Sequence, residues 1–139
     1  MRTAVVVPLM LAIAGCAQKQ VTIQDAWIRA APPGADTMAA YLTVHNPTDQ
    51  AIRITGVDSP WFRRAMIHRT EIHDGVARMV HEAGLDVPPG AHARLEPGGR
   101  HIMLVGPDRP VTAGIEVPVS LVLEDGRTLG VLAPVRAGG

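Results

Sequence analysis

The segment H-R-T-E-I-H-D-G-V-A-R-M, residues 68–79, carries the clearest local folding signal in the chain. Asp74-Gly75 stand at its centre, and a two-residue type I′ turn needs positive φ at both positions, which Asp-Gly adopts at little steric cost. The residues on either side are therefore predicted to pair as a β-hairpin. That turn sets the register: Thr70 falls opposite Met79, and His68 opposite His81. Side chains alternate faces along a strand, so His68 shares a face with Thr70 and becomes a diagonal neighbour of Met79. Diagonal partners stand about 7–8 Å apart, a gap that two long side chains can close onto one ion.

The same punctuation extends in both directions. Fourteen Gly and twelve Pro among 139 residues argue against long helices, since each interrupts a helix interior. Between them lie short runs rich in Val, Ile, Leu and Thr. Strands are expected over Val21–Ile28, Met38–His45, Ala51–Val57, about Met66–Ile72, His101–Val105, Glu116–Leu123 and Thr128–Val135, the last two joined through Asp125-Gly126. Residues 60–66, P-W-F-R-R-A-M, are predicted as a short irregular segment, because Phe62, Ala65, Met66 and Arg69 would also suit one helical turn. Trp27 is expected to plug the core or a barrel end. Evenly spaced short strands predict an all-β domain, a β-sandwich or small Greek-key barrel, over residues 21–136.

Residues 1–15 read instead as a lipoprotein-type signal peptide. Arg2 gives a positive start, Ala4–Ala14 form an apolar run too short to span a bilayer, and Ile13-Ala14-Gly15-Cys16 closes it. The closing tetrapeptide resembles the bacterial lipoprotein box, in which the cysteine is diacylated. Cys16 would then attach the domain to a membrane outside the cytoplasm, with residues 16–20 as a tether. It is the only cysteine, so there is no internal disulfide and no thiolate left for metal binding in the folded part. The 13 basic and 13 acidic residues form no long block of one sign, which speaks against a nucleic-acid partner.

The hairpin residues matter chemically because of what stands downstream. His101 and Met103, spaced i, i+2 on a predicted strand, point to one face. Together with His68 and Met79 they make two imidazoles and two thioethers. Thioether sulfur is a poor ligand for zinc, calcium or magnesium and a good one for cuprous copper, so the set points to Cu(I). Register alone leaves His81 open as a further ligand, since it faces His68. His73, His45 and His92 read as solvated or hydrogen-bonded histidines, and Met38 and Met66 as core filling. No Ser-His-Asp grouping, carboxylate pair or phosphate loop suggests an enzyme.

His, ten residues, Met, twenty-one residues, His, one residue, Met is the spacing of His68, Met79, His101 and Met103, and it resembles the signature of the PCu(A)C family of periplasmic copper chaperones. D-A-W-I-R-A-A-P-P-G-A (Asp25 to Ala35), A-A-Y-L-T-V-H-N (Ala39 to Asn46) and P-G-G-R-H-I-M-L-V-G (Pro97 to Gly106) are similar to further parts of that family. Arg69, where an acidic residue is common, and Val105, where a further Met often occurs, depart from the pattern. The resemblance implies a cupredoxin-like β-barrel that binds one Cu(I) per chain through those four residues, without His81. It also implies delivery of copper to the CuA subunit of cytochrome c oxidase or to a Sco-type partner. The competing expectations are a periplasmic copper storage or resistance protein, and a metal-free β-sandwich interaction module. A blue-copper electron carrier is disfavoured because its site needs a Cys thiolate.

Overall fold

The computed structural model describes residues 17–138, and every helix or strand element among them is a strand: β1 (Thr22–Arg29), β2 (Thr37–His45), β3 (Ile52–Asp58), β4 (Phe62–His73), β5 (Val76–His81), β6 (Leu85–Val87), β7 (His92–Leu95), β8 (Arg100–Pro107), β9 (Glu116–Leu123) and β10 (Thr128–Arg136). The predicted signal peptide and Cys16 lie outside the described residues. Hydrogen-bonded neighbours run β5-β4-β8-β2-β1-β10-β9-β3-β6, with β7 paired to β2 beyond the end of the β2–β8 ladder. A parallel pair, β1 with β10, joins the two layers of a sandwich, and every other pairing is antiparallel.

Alternation builds the core. Along β9, Val117, Val119, Leu121 and Leu123 are buried while the residues between them are not. Leu42 and Val44 of β2 and Ile102 and Leu104 of β8 meet them from the other layer in one apolar cluster. Strand β1 needs a correction to its alternation, because Ile23 and Ile28 both pack on the core although an odd number of residues separates them in parity. A bulge supplies it: the register against β2 shifts between Gln24 and Trp27, and Asp25 takes φ 53°. One extra residue on one strand swaps the faces of everything beyond it.

That swap also answers the expectation for Trp27. The ring is half-buried outside the core cluster, tilted 38° against Tyr41 at 4.7 Å between centroids, with the Arg29 and Arg136 guanidiniums over it. Residues 60–66 depart from expectation too. From Phe62 onward they belong to β4, one continuous strand, and the helical alternative is absent. A twelve-residue strand is stabilised by pairing with β8 from Phe62 to Arg69, a long-range partner that local pattern does not reveal.

Candidate metal centre

The hairpin forms as its turn dictates. Asp74 and Gly75 have φ of 51° and 77°, both positive as a type I′ turn requires. Thr70 pairs with Met79 and His68 with His81. Strand β8 then docks on the other edge of β4, placing His101 opposite His68 and Met103 opposite Met66. The result is a row of three histidines across three strands, His81–His68–His101, with both neighbouring rings 5.9 Å from the His68 ring and nearly perpendicular to it. The hairpin register gives the first half of this row from sequence. The second half depends on where β8 docks, and only the fold supplies that.

The row sits at the sheet's protruding end, braced on the opposite face. Arg69 and Arg100 oppose each other one residue beyond it, and two adjacent guanidiniums would repel. Glu82 resolves the conflict by accepting from Arg69 Nη1 at 3.0 Å and Arg100 Nε at 2.7 Å. Arg69 also pairs with Glu71. Charge-assisted bonds of this kind link β4, the end of β5 and β8 behind the histidines, fixing their spacing.

Access grades along the site. His101 is buried, His68 and Met103 are half-buried, and Met79 is 63% exposed. Met79, His101 and Met103 line one cleft of about 210 Å³, together with Ala30 to Pro32 and the start of β2. His81 opens instead into a separate groove of about 140 Å³ between β3 and β4, shared with Met66. Met66 is thus half-buried beside His81 and outside the core cluster, unlike the core filling expected for it. Met38 is buried in the core as expected.

His68 provides the strongest chemical signal. Its Nδ1 is buried and has no hydrogen-bond partner, where an unmet polar atom costs about 1–3 kcal/mol. Burial, and after it the neighbouring His101 and His81 rings, hold its imidazole below the ordinary histidine range. The ring is therefore held towards its neutral form, whose free lone pair can bind a metal. Among the described residues no three His, Cys, Asp or Glu side chains converge on one metal position. The further soft donors beside His101 are the thioethers of Met79 and Met103, a ligand type that suits a soft ion.

The family model described as "Putative lipoprotein LpqE-like" matches residues 21–135. "Putative lipoprotein Lxx21020" of Leifsonia xyli subsp. xyli (strain CTCB07) is 31% identical, over 98% of this chain and 89% of its own. Among solved structures, the copper-bound PCuAC domain from PmoF2 superposes with a TM-score of 0.71 at 27% identity, covering 85% of this chain and 93% of that one. The solution structure of Cu(I)-DR1885 from Deinococcus radiodurans gives 0.65 at 34%, covering 88% and 83%. The all-β, cupredoxin-like architecture is shared with these domains. On the match across its whole β-domain and the identity to its relative, the chain belongs to the LpqE-like, PCuAC family.

Proposed function

We propose that this chain is an extracytoplasmic copper chaperone, not an enzyme, that carries one Cu(I) on His68, Met79, His101 and Met103. The observation that carries this reading is the orphaned, buried Nδ1 of His68, beside a histidine that shares its cleft with two methionines. A donor with no partner inside the protein is accounted for by a ligand that supplies one. Copper-bound relatives of the same fold support the choice of metal.

The ligand set is neutral, so a cuprous site bears a net charge of only plus one, and sulfur favours Cu(I) over Cu(II). Exposure of Met79 suits transfer: an acceptor can displace the outermost thioether first and the buried His101 last. Thiolates hold Cu(I) more strongly than thioethers, which sets the direction of transfer. The acceptors we propose are the CuA subunit of cytochrome c oxidase or a Sco-type assembly partner. The chain would work in the periplasm, attached through a diacylated Cys16, and the lipoprotein descriptions of its family and relative support that placement.

Competition against a chromophoric Cu(I) chelator tests the assignment. Wild type should bind one equivalent, Met79→Ala should bind far more weakly, and His81→Ala should bind like wild type. No Cu(I) binding at all would favour the metal-free interaction module. Tight binding without release to a dithiol would favour storage.

A further inference from the structure

Two histidines outside the cleft stand together in a way the chaperone reading does not use. His45 ends β2 and His92 begins β7, and they are direct partners in register. Asn46 N–H donates to Ala91 O at 3.0 Å, so the neighbouring His45–His92 position is the non-hydrogen-bonded one, where facing side chains approach most closely. Their rings are stacked, with centroids 4.1 Å apart and planes 5° from parallel. Two imidazole nitrogens at about 2.0–2.1 Å from one ion lie roughly 3–4 Å apart. With centroids 4.1 Å apart the two imidazoles are within reach of one ion, and ligation requires side-chain rotation that unstacks the rings and turns their in-plane lone pairs towards a common point.

The backbone beneath them is rigidly held. Asn46, fully buried, donates through Nδ2 to Gln50 O, Val87 O and Pro88 O, and its Oδ1 accepts from Thr48 N–H and Oγ1. One side chain thus ties the end of β2 to the loop that leads into β7. His45 is half-buried and His92 exposed, so the pair opens to solvent. Thr43 and Arg94 follow on the same face, and Thr22 of β1 lies opposite His45. Counting about 3.3 Å per residue along β2, His45 is roughly 13 Å from Tyr41, the residue one step beyond the last β2–β8 pair, Ala40–Ile102. The pair therefore cannot share an ion with His101.

From these positions we propose that His45 and His92 form a second metal site, selective for Cu(II) and independent of the Cu(I) cleft. Two imidazoles with no thioether nearby suit a borderline divalent ion, and nitrogen-oxygen sites of tetragonal geometry suit Cu(II). With no third His, Cys, Asp or Glu converging among the described residues, water fills the remaining positions. Copper heads the divalent series for such a donor set. Arg94 opposes the ion's charge, but from an exposed position where solvent screens it.

The test is titration of the apo chain with Cu(II) bis-glycinate, followed by NMR line broadening and by EPR. Broadening at a tenth of an equivalent should fall first on the His45 and His92 rings and on Thr43 and Arg94. The EPR spectrum should show nitrogen coupling. His92→Gln, an exposed change that leaves the core alone, should weaken Cu(II) binding at least about tenfold, and His45→Gln likewise, while Met103→Leu leaves it unchanged. Broadening centred on His68, His81 and His101 with His92→Gln unchanged overturns the proposal. So does failure of the chain to compete with glycine for Cu(II). Cu(I) affinity is read separately in each variant, so loss of the chaperone site and loss of this one are distinguishable.

Discussion

The two histidine groups, His81–His68–His101 and His45–His92, use the same residue type on the same kind of ladder and reach opposite conditions. In the first, the His68 ring is pushed partly under the surface, its Nδ1 is left without a partner, and the neighbouring His101 shares a cleft with two thioethers. In the second, the rings are stacked face to face and open to solvent, and the adjoining backbone is tied by Asn46. Burial and sulfur make the first suited to a soft monovalent ion. Exposure and water make the second suited to a divalent one. What differs is what surrounds the imidazoles, and each contrast can be broken separately.

The largest effect is expected at the brace. Asn46→Ala removes a buried donor from three carbonyls and an acceptor from Thr48, and should destabilise the fold by about 3–4 kcal/mol. Chemical denaturation reads this directly. If the variant stays folded in dilute buffer, Cu(II) binding should weaken and Cu(I) binding should not. Equal loss of both would show that the two regions are one mechanical unit.

Next comes the ligand set. His101→Gln or Met103→Leu should lower Cu(I) affinity at least about 100-fold, beyond the 10–100-fold typical of residues that only support a ligand. Circular dichroism should show the fold intact for Met103→Leu, because Met103 packs outside the apolar cluster.

A smaller effect follows from acid. The His68 imidazole is held below its ordinary value in the folded chain, while the unfolded chain titrates near 6.5. As pH falls through 6.5 the unfolded state takes up the proton first. Stability therefore declines with falling pH, the native state being the poorer proton acceptor. Apo protein should show a falling denaturation midpoint between pH 7 and 5, and His68→Gln should flatten that slope. For the same reason His68 should keep its lone pair available to Cu(I) at lower pH than a free imidazole would.

How much of this was legible in the chain depends on the range of the interaction. The Asp74-Gly75 turn fixed the hairpin and its pairing from local chemistry alone, and β9 and β10 were found through Asp125-Gly126 in the same way. The docking of β8 on β4 is not legible in local pattern, which is why Met66 looks like core filling and residues 60–66 look irregular until β8 is in place. Nor is the bulge at Asp25, where a non-glycine residue takes positive φ and the register shift beyond it sets Trp27 outside the core cluster. Forty-six residues lie between His45 and His92, and neither flanking pattern hints that β7 would extend the ladder where β8 leaves β2.

The smallest expected effect concerns His81, which hairpin register leaves in contention as a ligand. It is as near to His68 as His101 is, 5.9 Å between ring centroids, so distance does not separate them. Direction does: His101 lines the cleft with Met79 and Met103, whereas His81 lines the groove on the β3 side with Met66. An ion held by His68, His101 and the two cleft methionines does not draw on the groove that His81 lines. His81→Ala should therefore change Cu(I) affinity by no more than about threefold, through the lost contact with the His68 ring, worth roughly 0.5 kcal/mol. A loss as large as that of His101→Gln would move the ion to the other side of His68 and make Met66, not Met79, its thioether.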